Sequence, residues 1–138
     1  MTNETITRTL IPEGRRADHT NRLFGIHFPL QLEPAIFNFA SDLSTDYTGG
    51  YWLFYELSNG GFYMAPDAEG DFGIACRNGY EGTVSADALG IICCLYAYSH
   101  LSFIGPKHMV EIYARQFHWL REWMLEHAEA RAILRAID

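Results

Sequence analysis

The sequence predicts an α+β protein: an antiparallel sheet of about three to four strands, in two hairpins, packed with about four to five helices. Three observations predict it. The first is Tyr51 to Pro66, where seven of sixteen residues are Tyr51, Trp52, Phe54, Tyr55, Phe62, Tyr63 and Met64. Such residues suit a pleated, packed surface. The second is a pair of turn signals, Asn59-Gly60 and Asn78-Gly79, each between short runs of strand character. The third is Ala88 to Tyr98, in which every residue but Gly90 is apolar or aromatic. A helix apolar on all sides is buried.

Residues 1–12 read as an arm, flexible or extended, closed by Pro12. A short helix follows and ends at Gly25. Ile36, Phe39, Ala40, Leu43 and Tyr47 recur at helical spacing, and Gly49-Gly50 lead out of that helix. Strands are expected at about 51–57 and 61–65. Pro66 ends the second, because it cannot donate to a ladder. An acidic loop, 67–71, leads to alternation at Phe72, Ile74 and Cys76 and a return through Tyr80, Gly82 and Val84. Two successive hairpins suggest one meander. Ser85 is a good N-cap with Asp87 in the first turn, and a central helix of about 86–103 packs beneath the sheet. Gly105-Pro106 starts the next helix, whose apolar stripe runs from Met109 to Met124. Ala130, Ile133, Leu134 and Ile137 form a last short stripe. With no repeat or linker, 138 residues read as a single domain.

The formal charge is −7, which argues against direct nucleic-acid binding and against adhesion to anionic lipid. The charge is uneven. Residues 56–87 hold six acids against one base, Arg77, a balance of −5, while residues 88–138 are neutral. Three cysteines, two of them adjacent, make a poor disulfide framework and suit a reducing cytoplasm. No signal peptide is visible at MTNETITRTL, so the Asn3-Glu4-Thr5 glycosylation triplet carries no weight. The apolar run of the central helix is too short to span a bilayer.

The chemistry-bearing residues form no catalytic set. The six histidines show no i, i+4 pair and there is no Cys-x-x-Cys, so no metal site is expected. No lysine follows Asn59-Gly60-Gly61, so neither a phosphate cradle nor a cofactor is expected. Cys93 and Cys94 read as core filler, although His100 lies seven residues beyond Cys93. Trp52, Tyr55, Phe62 and Tyr63 read as core rather than as a base-stacking platform, which would need flanking cations.

The same residues resemble the KlcA/ArdB antirestriction proteins. The resemblance is carried by Tyr51-Trp52, Tyr55, the run Leu57 to Pro66, Ser85-Ala86-Asp87-Ala88 with Gly90-Ile91, and the ending Arg135 to Asp138. It spans essentially the whole chain. Members often have a proline after the histidine near the last helix, where this chain has Ala128. The resemblance implies an α+β protein of plasmids and other mobile elements, not an enzyme. It would protect incoming DNA from host type I restriction. The expected partner is the type I restriction-modification machinery, reached directly or indirectly. Oligomeric state is open. The acidic segment and the missing catalytic set favour action through protein contacts, with Asp67, Glu69 and Asp71 as one candidate contact and Asp138 as a second. The alternatives are a DNA mimic, disfavoured because 10 bases offset 17 acids, and a thiol-dependent enzyme using Cys93, Cys94 and His100.

Overall fold

The computed structural model describes residues 5–138; the start of the arm and most of the Asn3-Glu4-Thr5 triplet lie outside them. Five strands and five α-helices follow in the order β1 (Arg8–Leu10), α1 (Arg16–Phe24), α2 (Glu33–Leu43), β2 (Trp52–Leu57), β3 (Phe62–Pro66), β4 (Asp71–Ala75), β5 (Glu81–Ser85), α3 (Ala86–Ile104), α4 (Lys107–Met124) and α5 (Ala130–Ile137). A π-helical turn, Phe28–Leu32, leads into α2.

Both hairpins form, and their asparagines do more than turn the chain. Gly60 and Gly79 take φ of 103° and 91°, the left-handed region that side chains resist. Asn59 accepts the Gly61 N–H at 3.0 Å and donates its amide to the Trp119 carbonyl at 3.0 Å. Asn78 accepts the Tyr80 N–H at 3.0 Å and donates to the Arg135 carbonyl at 2.8 Å. Each turn is thereby fastened to a helix, α4 in one case and the C-terminal end of α5 in the other.

The hairpins do not join into one meander. β1, β2 and β3 form a three-stranded antiparallel sheet, and β4 and β5 form a separate pair. The reason lies at the outer edge of β3. Its inward-bonding residues pair with β2, so the N–H and C=O groups of Phe62 and Met64 face away from the sheet. Helix side chains take them. The Phe62 N–H donates to Gln116 Oε1 at 2.9 Å, the Phe62 carbonyl accepts from the Tyr98 hydroxyl at 2.7 Å, and the Met64 N–H meets Cys94 Sγ at 3.5 Å. A strand edge satisfied in this way offers nothing to a fourth strand. The opposite edge of the sheet is filled by residues 8–10 of the expected arm, with Arg8 opposite Leu57 and Leu10 opposite Tyr55.

Pro66 is inside β3 rather than beyond it, opposite Trp52. At this even-numbered position the main-chain nitrogen points away from β2, so the missing N–H breaks no ladder bond. The ladder continues one step further, with the Asp67 N–H on the Tyr51 carbonyl at 2.8 Å. α2 is shorter than the periodicity implied. It stops at Leu43, and Tyr47 instead packs edge-on to Trp52 and accepts its indole N–H at 3.0 Å.

The core sits between the first sheet and α3. All five residues of β3 are buried. Phe62 meets Phe24, Phe28 and Phe54 with ring centroids 5.6–5.8 Å apart, separations typical of favourable aromatic pairs. α3 is long and apolar enough to cross a membrane. Here its apolar residues from Ala88 to Leu95, with Ala97, Tyr98 and Leu101, are buried against the protein itself. Gly90 is the contact point. A Cβ there would sit 2.4 Å from the Ala65 Cα and the Met64 oxygen.

Candidate functional site

Asp67, Glu69 and Asp71 border one cleft of about 530 Å³. The loop that carries them spans from the end of β3 to the start of β4, turning at Gly70 with φ of 86°. Arg8, Tyr55 and Asp87 line the same cleft. Asp87 adds a fourth carboxylate that the sequence assigned only to the helix dipole.

Asp87 is the centre of a polar knot. The Ser85 hydroxyl caps α3 by accepting the Ala88 N–H at 3.2 Å, which places Asp87 in the first turn. Asp87 Oδ1 accepts from Arg8 Nη1 at 2.9 Å and from the Tyr63 hydroxyl at 2.8 Å. His127 reaches Oδ2 at 2.8 Å. The His127 tautomer follows from its other nitrogen: Nδ1 accepts the Glu129 N–H at 2.9 Å, so the proton is on Nε2 and is donated to Asp87. The Glu129 carboxylate accepts the Ser85 N–H at 2.9 Å and the Ser85 hydroxyl at 2.5 Å. Arg8 also lies over the Tyr55 ring, 4.4 Å from its centroid. The knot therefore ties together β1, β3, the start of α3 and the α4–α5 connection.

Burial pushes the Asp87 carboxyl up, but the His127 and Tyr63 hydrogen bonds and the Arg8 charge outweigh it and hold the group below its ordinary value. Burial and the neighbouring Asp87 charge push the Tyr63 phenol up, so it stays a neutral donor.

A serine, a histidine and an aspartate thus lie close together, yet the geometry is not that of a nucleophilic triad. Ser85 is bound to Glu129 rather than to His127. Both His127 ring nitrogens are occupied inside the protein. His127 is therefore not placed to take the Ser85 proton. The thiols are equally unsuited. Cys93 and Cys94 are fully buried, and burial pushes Cys94 up to about 12 and Cys93 up as well. His100 is exposed and packs edge-on against Phe39. Among the described residues no group of three or more potential ligands could hold a metal.

Asp138 is elsewhere. Its main-chain oxygen accepts from Asn78, and it borders a second cleft of about 320 Å³ with Arg77 and His100. The structure therefore gathers three of the four candidate contact residues and separates the fourth. It adds Arg8, Tyr63 and His127, which lie 24 to 79 positions from Asp87 or are spaced irregularly around it. No local pattern points to them. Ala128 sits between α4 and α5, and the helices stop and restart around it without a proline.

Fold and site together define an α+β protein with an acidic cleft beside a polar knot centred on Asp87. A family model described as "Antirestriction protein" matches residues 45–138. The antirestriction protein KlcA of Escherichia coli is 36% identical over 99% of this chain and 97% of its own. YafX of Escherichia coli K12, described as uncharacterized, is 39% identical over 96% of this chain and 88% of its own. A solved structure from work on KlcA and ArdB superposes with a TM-score of 0.90 at 36% identity, covering 100% of this chain and 99% of that one. Those two proteins are described as having a novel fold and antirestriction activity against type I DNA restriction systems in vivo but not in vitro. The chain belongs to the antirestriction protein family.

Proposed function

We propose that this protein counteracts type I restriction of incoming mobile-element DNA by contacts with protein rather than by catalysis. The observation that carries the reading is the end-to-end likeness to KlcA and ArdB, at a TM-score of 0.90. The difference between cells and purified components reported for those proteins favours a contact that needs a cellular setting. The type I machinery is then reached directly or through another host factor. The internally satisfied Ser85–Glu129 and Asp87–His127 pairs support action without catalysis. The acidic cleft of Asp67, Glu69 and Asp71 is the proposed contact, suited to a basic partner surface. Asp138, on its separate cleft, is the second. The protein would work in the cytoplasm, where restriction takes place.

The test is plating of unmodified phage on cells that carry a type I system, with and without expression of this chain. Expression should raise plating by at least tenfold. Equal plating with and without the protein, at verified soluble expression, would refute the reading.

A further inference from the structure

The two Asn-Gly turns are built alike but covered differently. In each, the glycine N–H donates back across the turn, Gly60 to the Leu57 carbonyl and Gly79 to the Cys76 carbonyl, both at 3.0 Å. In each, the asparagine Oδ1 accepts an N–H from two residues on. The difference lies outside the turn. The Trp119 ring lies on Gly60, where an added Cβ would meet it at 3.3 Å. Asn59 is half-buried, with its amide on a carbonyl in the interior of α4. Asn78 and Gly79 are exposed, and an added Cβ on Gly79 would meet nothing within 4 Å. The Asn78 amide donates to the main-chain oxygens of Arg135, Ala136 and Asp138 at 2.8, 3.4 and 2.5 Å. Arg135 and Ala136 are in the last turn of α5, where carbonyls have no partner inside the helix.

Asparagine before glycine carries a latent reaction. Glycine has no side chain to hinder attack of its main-chain nitrogen on the asparagine Cγ. The N–Cγ bond forms, the Cγ–Nδ2 bond breaks, and ammonia leaves with the proton of the glycine N–H. Water then opens the five-membered succinimide at one of its two ring C–N bonds, giving aspartate or isoaspartate. The step is a hydrolysis and needs no oxidant. In the closed turn the attack is blocked twice. The glycine N–H is committed to a carbonyl, and the asparagine side chain is held through both its oxygen and its nitrogen. The reaction proceeds only when these bonds open. Exposed turns and helix ends open at a lower free energy than helix interiors.

We propose that Asn78 is a site of spontaneous hydrolytic deamidation, gated by fraying of the last turn of α5, while Trp119 and the interior of α4 protect Asn59. The product reverses the contact. A carboxylate at position 78 still accepts the Tyr80 N–H but has no donor left, and it faces three main-chain oxygens. Acceptors set against acceptors repel and are left unpaired. The end of α5 is then released, and a negative charge is added to the cleft that Arg77 and Asp138 border. The inference does not depend on the antirestriction reading.

The test is incubation of the full folded chain at mildly alkaline pH for weeks, with peptide mass spectrometry of both turns. Asn78 should convert at least tenfold faster than Asn59. In urea both should convert at similar rates, each faster than in the folded chain. Arg135→Gly loosens the last turn of α5 at an exposed position, and should speed conversion of Asn78 severalfold while leaving Asn59 unchanged. Hydrogen exchange reads the consequence: the α5 amides should exchange at least tenfold faster in Asn78→Asp than in the unaltered chain. The spontaneously converted protein, separated by its added charge on ion exchange, gives the same reading if that variant is not folded. Equal rates at the two asparagines in the folded chain, no conversion of Asn78 there, or a folded rate as high as that in urea would each overturn the proposal. So would an Asn78 rate unmoved by Arg135→Gly, or α5 exchange unchanged after conversion.

Discussion

Asp87 shows how much one side chain can hold. It accepts three hydrogen bonds from three different parts of the chain. Asp87→Asn keeps the size but loses the charge, and should destabilise the protein by about 2 kcal/mol in chemical denaturation. The pH dependence has a definite sign. The folded carboxyl is held below its unfolded value of about 3.9, so the unfolded state binds the proton more readily. Its contribution is complete above about pH 5 and is lost as pH falls below about 4 through the folded value. Denaturation midpoints of Asp87→Asn should therefore converge toward wild type on acidification; a constant gap down to pH 2 would contradict this account. Gln116 is a parallel case on α4. Its amide is buried because it serves both the Phe62 N–H and, at 3.1 Å, the Gly60 carbonyl. Gln116→Leu fits the apolar surroundings but strands both groups. A loss of about 1–3 kcal/mol is expected, and an unchanged denaturation midpoint would show that the edge of β3 finds other partners.

The elements make contact through their smallest residues. Gly90 interrupts an otherwise apolar helix because α3 lies directly on the β3 backbone there. Gly90→Ala improves helix propensity by about 1 kcal/mol. The methyl would nonetheless collide with Ala65 and Met64 main-chain atoms that cannot rotate away. We expect a net destabilisation of about 2 kcal/mol, measured by urea denaturation, since overpacking outweighs propensity in a close contact. A stabilised variant would mean that α3 and β3 separate more easily than their packing implies. The same close approach explains the thiols. Cys94 is small enough to reach the Met64 main chain, with its sulfur 3.5 Å from the nitrogen. Iodoacetamide at neutral pH should leave Cys93 and Cys94 unmodified in native protein over hours and modify them rapidly in denaturant, as peptide mass spectrometry would show. Rapid native labelling of either would return the thiol-dependent alternative to consideration.

Across the whole molecule, negative charge and polar scaffolding meet at one cleft. The Asp67–Asp71 loop borders the cleft that Asp87 and Arg8 also line. Asp67, Glu69 and Asp71 make no ion pair among the described residues, so their charge is available to a partner. Reversing all three to lysine should leave the fold intact, since surface changes typically shift stability by under about 0.5 kcal/mol each. It should also reduce protection of incoming DNA in cells by at least tenfold. Full protection by a stably folded triple variant would remove this loop as the contact and leave Asp138 to be tested in its place.

Element types were legible from the sequence because they depend on neighbours within a turn or a pleat. The Asn-Gly turns, the Ser85 cap, the uniformly apolar central helix and the apolar stripe of α4 all act over a few residues. The division into two sheets was not legible, because it depends on Gln116, Tyr98 and Cys94 arriving at the β3 edge from helices 30 to 54 positions away. The polar knot was hidden for the same reason: Arg8 and Asp87 are 79 positions apart. The sequence by itself determined which segments are strands and helices, which residues are apolar enough to be core, and where the negative charge is concentrated. Only the tertiary structure decided which strand edges are closed, which polar groups are used internally and which clefts remain open to a partner, since hydrogen bonds and cavities between distant segments exist only once the chain has packed.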